Sequence, residues 1–265
     1  MRVPRDVEIP APHFPRGLPW VNVATLRMDQ QKGRPVLIEF WDFCRVNSLR
    51  TNPYLRAWHE RYEQHGLRVI GVHSPGFDPS RGEQAVSAAC ERLGVDYPVC
   101  VDDQLEVWTL FGNKGWPARY LFNEDLKLFE QHYGEGGYAA TERAIQELCG
   151  VEQDLVAPVR PEDDPDAQIV APTADQAGAW SGPYAAGAVW AVLSGTGTVL
   201  ANGTATTVTH PGAYPLIDHG VHTEGVLELE VGEGVTCHAT CFTAGVVSAA
   251  ASSAAPAPVD PPPAP

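Results

Sequence analysis

The sequence lacks long hydrophobic runs and is poor in positive charge. No apolar stretch reaches the roughly 18 residues that a membrane-spanning helix requires, so we expect no membrane partner. Lys and Arg together number 18 against 33 Asp and Glu, which gives a net charge of -15 at pH 7. Nucleic-acid binders take most of their affinity from Lys and Arg, so no nucleic-acid partner is expected either. No Lys or Arg follows Arg160, which indicates two units of different composition.

The N-terminal segment and the cysteines bear on the cellular compartment. Residues 1–19 contain five prolines and no apolar run that would serve as the core of a signal peptide. We interpret them as the N-terminal extension of a cytoplasmic protein, in which the six cysteines are expected to be reduced. Cys237 and Cys241 illustrate the point, because two residues four apart on one strand lie about 13 Å from each other, beyond disulfide reach.

Strands and helices alternate in the pattern of residues 20–150. An apolar run at 35–41 predicts a buried strand, and Leu55, Trp58 and Tyr62 at helical spacing predict a helix over residues 48–62. The remaining predicted elements are a strand at 67–73, a helix opened by a Ser80/Glu83 capping box and ended at Gly94, a strand at 97–101, a hairpin of 118–122 with 126–131, and a helix at 141–149. Helices between successive strands favour parallel pairing.

The second half of the chain has a different pattern. Residues 151–173 are rich in Pro and acidic residues, which is typical of a linker or a surface wrap. Short β-prone runs follow over residues 174–247, joined by turns at Asn202-Gly203 and at 232–234, and they predict a small all-β sandwich or jelly roll. The tail at 248–265 is almost entirely Ala, Ser and Pro and is predicted to be disordered.

The most specific motifs lie in the first half of the chain. Residues 39–55 read EFWDFCRVNSLRTNPYL, followed by RAWHERY at 56–62, VIGVHSP at 69–75 and WPA at 116–118. This series resembles the active-site region of TlpA/DipZ-type thioredoxin-like proteins, the redoxin group related to AhpC/TSA. The resemblance covers about half of the chain. It implies an α/β thioredoxin-like fold, a central mixed sheet flanked by helices, over residues 20–150.

The resemblance also implies what this chain has lost. The family motif is W-x-x-x-C-x-x-C, with its nucleophilic thiol at a helix N-terminus that lowers the thiol pKa. Arg45 and Ser48 match the two cysteine positions, and neither can form a disulfide. Glu39 matches the family's buried carboxylate, which relays protons to the dithiol; the alternative is a carboxylate at a strand end, reached by solvent. Trp116-Pro117 matches the loop whose cis proline holds an extended substrate segment.

Cys44 lies one residue before the expected nucleophile and leaves two interpretations open. It is either a single reactive thiol, with Arg45, Arg50 and the helix N-terminus favouring its thiolate, or a free cysteine beside an abandoned site. Cys90 or Cys100 would resolve it only if the fold brought one within disulfide reach. The candidate nucleophile is thus Cys44 and the candidate proton relay Glu39, and the residues expected to line the site are Trp41, Arg45, Asn47, Ser48, Arg50, His73, Trp116 and Pro117.

Two functions of different classes remain. The chain is either a thiol-disulfide oxidoreductase or antioxidant-type enzyme limited to single-thiol chemistry at Cys44, or a redox-inactive binding protein using the cis-proline groove or the β domain. The first would act on a small thiol, a peptide or a disulfide, and the second would hold a peptide or a carbohydrate. No cofactor and no metal are expected. A peroxiredoxin-type site is disfavoured because Trp41 stands where such a site has Thr or Ser.

The β domain adds aromatic and histidine residues. Trp180, Tyr184 and Trp190 have the chemistry to stack on a sugar, and core packing is the alternative. Residues 218–224, which include His219 and His222, have the residue types of a metal site, but their spacing fits no recognised ligand set. We interpret this segment as a polar loop.

Overall fold

The computed structural model describes residues 1–4 and 7–247, and the tail predicted to be disordered, 248–265, lies outside the described residues. Two units follow one another along the chain. The first is a mixed six-stranded sheet covered by helices, and the second is all-β, as the sequence predicts. No helix in the described part of the chain is long and apolar enough to cross a membrane.

The first unit contains the parallel strands and their crossover helices. In chain order its elements are β1 (Trp20–Val21), β2 (Val36–Trp41), α1 (Val46–Tyr62), β3 (Arg68–His73), α2 (Glu83–Leu93), β4 (Val99–Val101), α3 (Glu106–Leu110), β5 (Ala118–Phe122), β6 (Leu128–Tyr133) and α4 (Tyr138–Cys149). The strand order is β1-β4-β3-β2-β5-β6, with β2, β3 and β4 parallel and β5 antiparallel to β2. Helices α1 and α2 make the two crossovers that parallel neighbours require.

The central strand β2 is buried on both faces, and its side chains alternate between two hydrophobic cores. Leu37 and Trp41 pack in the core that also holds residues of α1, α2 and α4, whereas Ile38 and Phe40 pack in the core on the opposite face. Because alternate side chains of a strand share a face, Glu39 points with Leu37 and Trp41 towards α1. The fold therefore places a carboxyl group inside the core beneath α1.

The predicted start of α2 is wrong. The helix begins at Glu83 with Gly82 as its N-cap, and the Ser80 hydroxyl donates to the carbonyl of Phe77 instead of capping the helix. The Asp103 carboxylate accepts the Gly82 N–H at 3.0 Å. A carboxylate distant in the sequence thus binds a backbone N–H at the start of the helix.

The second unit, called the β unit below, comprises nine strands within the described residues. They are β7 (Ile169–Val170), β8 (Gln176–Ala177), β9 (Gly182–Gly195), β10 (Gly197–Ala201), β11 (Thr204–Val208), β12 (Gly212–Leu227), β13 (Leu229–Val231), β14 (Val235–Thr243) and β15 (Gly245–Val246). Sheet β12-β9-β14-β8 and sheet β11-β10-β13 share one core that includes Val189, Val199, Leu227 and Phe242. Two sheets over one core form a small sandwich.

The segment predicted as a polar loop, residues 218–224, lies within strand β12. Its pairing with β9 shifts register between Asp218 and Thr223, and Gly220 has a φ of 68° inside the shift. An insertion of this kind bends a strand without ending it. The loop prediction is therefore wrong, because pairing with β9 resumes beyond the polar residues.

Residues 151–167, called the strap below, run between the two units and lie against α1. The carboxylate of Asp163 accepts the Tyr54 hydroxyl at 2.8 Å, and Glu162 pairs with Arg50 at 2.6 Å. Arg160 donates to the carbonyl of Arg50 at 2.8 Å. Of the two interpretations of this acidic segment, a surface wrap describes the strap better than a free linker.

The buried carboxylate of Glu142 joins α4, α1 and the strap. It accepts the Tyr62 hydroxyl at 2.7 Å, the Arg61 guanidinium at 3.1 Å and the N–H of Val156 at 2.8 Å. Glu142→Gln replaces one acceptor by a donor and removes the charge, so we expect the free energy of unfolding to fall by about 2–3 kcal/mol in urea titrations. Glu147→Gln, on the exposed side of the same helix, is the control and should cost less than about 0.5 kcal/mol. Equal losses in the two variants would contradict this assignment.

Candidate functional site

The loop between β2 and α1 is organised by the buried carboxylate of Asp42. Its Oδ1 accepts the N–H of Cys44 at 2.8 Å, and its Oδ2 accepts the N–H of Gly76 at 2.7 Å. The Asp42 N–H in turn donates to the hydroxyl of Ser48 at 3.3 Å. One side chain thereby fixes the entrance of α1 and the loop after β3 against each other.

Arg45 is the N-cap of α1, and its guanidinium lies between two aromatic rings. The guanidinium carbon is 4.5 Å from the ring centroid of Phe77 and 4.6 Å from that of Trp116. A Cβ on Gly76 would approach the Arg45 Nε to 2.7 Å, so only glycine leaves room for this arrangement. A cation at a helix N-terminus is opposed by the helix dipole, and the two ring faces offset that cost.

The opposite side of the site is formed by Trp116 and Pro117. The peptide bond between them is cis, as the resemblance implies. The indole of Trp116 donates to the carbonyl of Ser74 at 2.8 Å and packs on Trp108 with ring centroids 4.3 Å apart. The Trp116 ring is therefore held in place by a hydrogen bond to the loop after β3 and by packing on α3.

Cys44 is fully buried beneath this entrance. Its side chain belongs to the core cluster on the α1 face, and its exposed fraction is 0%. Burial, and secondly the neighbouring Asp42, raise the pKa of the Cys44 thiol well above that of an ordinary cysteine, while Arg92 and Arg45 oppose the shift weakly. The thiol thus has the opposite of the environment that a reactive thiolate requires.

Glu39 lies deeper in the same core. Its carboxyl is 3% exposed, so the alternative of a solvent-reached carboxylate at a strand end is wrong. Burial raises the pKa of Glu39 to about 8, although Arg119, its partner across the β2-β5 register, acts in the opposite direction. The Arg119 guanidinium is itself buried, with Tyr138 and Trp58 ring centroids at 5.0 and 5.7 Å. A proton-holding carboxyl group therefore remains under a site without a dithiol.

The comparisons with known proteins concern the first unit. No protein-family model matches the chain. Protein DipZ of Mycobacterium bovis is 32% identical over 132 residues, and SUPPRESSOR OF QUENCHING 1, chloroplastic, of Arabidopsis thaliana is 32% identical over 126 residues. These matches cover 49% and 47% of this chain but 19% and 12% of the relatives, so the chain spans less than a fifth of their lengths. The thiol-disulfide oxidoreductase ResA of Halalkalibacterium halodurans is 23% identical over 47% of this chain and 65% of its own.

A solved structure settles the fold of this unit. The solution structure of a thioredoxin-like protein in the oxidized form matches with a TM-score of 0.50 at 21% identity, over 55% of this chain and 98% of that protein. The first part of the chain has the thioredoxin-like fold and is similar in sequence to DipZ and to the thiol-disulfide oxidoreductase ResA. The first unit is thus a thioredoxin-fold unit, and its function is argued separately from its fold.

The β unit closes the entrance of the thioredoxin-fold unit. A cavity of only about 120 Å³ remains there, lined by Cys44, Arg45, Asn47 and Trp116 on one side and by Asp175, Cys241 and Phe242 of the β unit on the other. Side chains of both units, among them Cys44 and Cys241, pack in one hydrophobic cluster. The groove in which an extended segment was expected to bind is thus covered by the chain's own second half.

Three residues that were predicted to line the site, namely Trp41, His73 and Arg50, have other structural roles. Trp41 and His73 are buried, and the His73 ring stacks on Phe43 with centroids 5.1 Å apart. They support the Asp42 loop from within the core and do not line an open groove. Arg50 pairs with Glu135 at 2.5 Å and with Glu162 of the strap at 2.6 Å, and Cys44 is not among its ion-pair partners. Arg50 therefore anchors the strap to α1, and the prediction that it favours the Cys44 thiolate is wrong.

The aromatic residues singled out in the β unit divide into two kinds. Tyr184 is buried, stacks on Phe242 at 5.6 Å and hydrogen-bonds His219 at 2.8 Å, and Trp180 contacts Phe242 edge-on at 5.7 Å. Both belong to the sandwich core, which was the alternative to sugar stacking. Trp190 instead lines a cavity between the two units.

Sequence reasoning missed the residues that hold the entrance together. Asp42 follows a buried strand directly, and its place within the family motif was the one signal that pointed to it. The roles of Gly76 and Phe77 depend on contacts with Arg45, and those contacts are made only after β2 and β3 pair side by side. No local pattern marks such a contact.

Proposed function

We propose that this protein is a member of the thiol-disulfide oxidoreductase group that has lost dithiol exchange and acts by non-covalent binding. Any remaining thiol chemistry is that of Cys44 alone. The observation that carries the proposal is the state of this thiol, which is buried completely and holds its proton because of burial. Neither Arg45, the N-cap of α1, nor Ser48, in its first turn, supplies a second nucleophile.

The chemistry of thiols supports this proposal. The thiolate is the nucleophile in disulfide exchange, and its fraction falls about tenfold for each unit by which the pKa exceeds the ambient pH. A protonated, enclosed thiol reacts slowly with any disulfide or peroxide, because the partner must also reach it. At Cys44 both conditions oppose reaction.

The closed entrance above Cys44 also favours a binding function over thiol-disulfide turnover. A substrate protein would have to displace Asp175, Cys241 and Phe242 from the α1 face before any extended segment entered the groove. These residues belong to an interface with a shared hydrophobic cluster, which opens only at the cost of exposing apolar surface. The thioredoxin-fold unit thus serves as a platform for the β unit.

Turnover and native-state alkylation of the full chain test the proposal. We expect the wild-type protein to reduce insulin and hydroxyethyl disulfide, and to consume hydrogen peroxide, no faster than buffer with dithiothreitol does. We expect iodoacetamide to modify Cys44 only after unfolding, because the folded thiol is enclosed and protonated.

Two variants separate the outcomes of this experiment. Cys44→Ser should leave both assays unchanged, and Cys149→Ser, a matched control, should remove one of the two half-buried thiols that the reagent can reach in the folded state. Thiol-dependent turnover in the wild type that disappears in Cys44→Ser would overturn the binding proposal. It would establish the single-thiol enzyme instead.

A further inference from the structure

Strand β14 presents different side chains to the two units. Its pairing with β9 shifts register between Cys237 and Ala239, which leaves His238 as one extra residue in the strand. Such a bulge reverses the alternation of side chains, so Cys237 packs against the sandwich core, whereas Ala239 and Cys241 lie in the cluster shared with the thioredoxin-fold unit. The bulge thus determines which side chains of β14 reach that unit.

This part of β14 lies at the entrance of α1. The His238 ring lies edge-on to Phe77 with centroids 6.5 Å apart, and Phe77 in turn covers one face of the Arg45 guanidinium. Cys241 lines the 120 Å³ cavity on the side opposite Arg45. Burial, and secondly Asp175, raise the pKa of the Cys241 thiol, while Arg45 acts in the opposite direction. Cys241 therefore faces residue 45 across a small gap.

The outer face of the β unit allows a close approach at this point. Ala213, Ala239 and Cys241 are small, and together with Val192 they pack in the cluster shared with α1 and α2. A space of about 120 Å³ has room for only a few water molecules. A sulfur atom on residue 45 and the Cys241 sulfur would therefore come within bonding reach after rotation of the two side chains.

We propose that β14 is docked in the entrance of the thioredoxin-fold unit as an internal substrate, with the Cys241 thiol opposite position 45 in the place of a substrate sulfur. Position 45 matches the first cysteine of the family motif, so the two losses are connected. A cysteine there would be consumed by a disulfide to Cys241, whereas the guanidinium of Arg45 cannot exchange. The inference rests on the proposed binding function and deepens it, because it names the partner of the site as a segment of the same chain.

Oxidation of Arg45→Cys, made in a Cys44→Ser background, tests the position of Cys241. Arg45 is partly exposed, so glutathione disulfide can reach this position. At pH 8 the thiolate at position 45 displaces one glutathione thiolate, and the Cys241 thiolate then displaces the second, which leaves a 45–241 disulfide and two reduced glutathiones. We expect this crosslink in about tenfold or higher yield than any other protein disulfide, measured by peptide mass spectrometry of the oxidised full chain.

Three further variants, in the same background, make the result decisive. Ser48→Cys alone places a thiol at a buried position outside the cavity lining and should give no crosslink to Cys241. Asn47→Cys, at an exposed position on the same cavity, keeps Arg45 and should also crosslink to Cys241, so the test does not depend on the folding of Arg45→Cys. Combining Ser48→Cys with Arg45→Cys should lower the 45–241 crosslink about tenfold, because the thiolate at 48 attacks the sulfur at 45 and releases the Cys241 thiolate.

The other outcomes would overturn the inference. Glutathione adducts at positions 45 and 47 without a bond to Cys241 would show that β14 does not face α1 in this way. A bond to Cys237, on the opposite face of β14, would contradict the bulge, and a crosslink between two chains would contradict an internal substrate. None of these results depends on Cys44, which the crosslinking variants lack. Disulfide turnover by the wild-type protein, which tests the proposed function, is therefore interpreted separately.

Discussion

Raising the pH from about 5 to 8 should destabilise the wild-type protein relative to its Glu39→Gln variant. The folded state keeps the Glu39 proton up to a pKa of about 8 because burial penalises the carboxylate, whereas an unfolded glutamate releases it near 4.5. Between these values the folded state binds more protons, so increasing pH favours unfolding. Each pH unit costs about 1.4 kcal/mol, and the total approaches roughly 4 kcal/mol.

The measurement compares urea unfolding of wild type and Glu39→Gln at pH 5, 6, 7 and 8. The two proteins should be about equally stable at pH 5, where Glu39 is protonated in the folded state, and the variant should be more stable by roughly 3–4 kcal/mol at pH 8. Glu124→Gln, at an exposed position in the β5-β6 turn, serves as the control and should follow the wild type throughout. Parallel profiles for wild type and Glu39→Gln would show that another group carries the pH dependence.

Local patterns predicted the elements of this fold well. The buried strand β2, helix α1 to its end at Tyr62 and the hairpin turn after Phe122 lie where hydrophobic periodicity and turn residues indicate. Asn202 and Gly203 both have positive φ angles and join β10 to β11, as their pairing predicts. These features depend on residues that are close to one another in the sequence, so a single sequence is enough to predict them.

The candidate site was predicted only in part, because its chemistry depends on distant contacts. The family resemblance predicted that Glu39, Arg45, Ser48 and the cis Pro117 belong to the site. It did not indicate that the β unit would enclose Cys44, since the residues opposite it, Asp175 to Phe242, lie in the other half of the chain. Exposure decides whether a thiol reacts, and exposure is a property of the packed chain.

Restoring cysteines at positions 45 and 48 should give the protein dithiol activity. The combined variant Arg45→Cys and Ser48→Cys, made in a Cys44→Ser background, places two thiols three residues apart, one at the N-cap of α1 and one in its first turn. Such positions lie about 5–6 Å apart, within disulfide range, and the helix N-terminus favours the thiolate of the first. Removal of the guanidinium also frees the space between Phe77 and Trp116, and the buried Glu39 carboxyl, with its pKa of about 8, holds a proton at neutral pH.

We expect the restored protein to reduce hydroxyethyl disulfide about tenfold or more above the background of Cys44→Ser alone. Insulin should be reduced more slowly, because Asp175, Cys241 and Phe242 still cover the entrance against a protein substrate. The matched control is Arg45→Ser in the same background, which opens the aromatic clamp without adding thiols and should stay inactive. If the restored protein formed no disulfide between positions 45 and 48 and reduced neither substrate, the first turn of α1 would not have kept the geometry of an exchange site. Activity in the Arg45→Ser control would instead point to a thiol outside α1, because that variant has no cysteine at 44, 45 or 48.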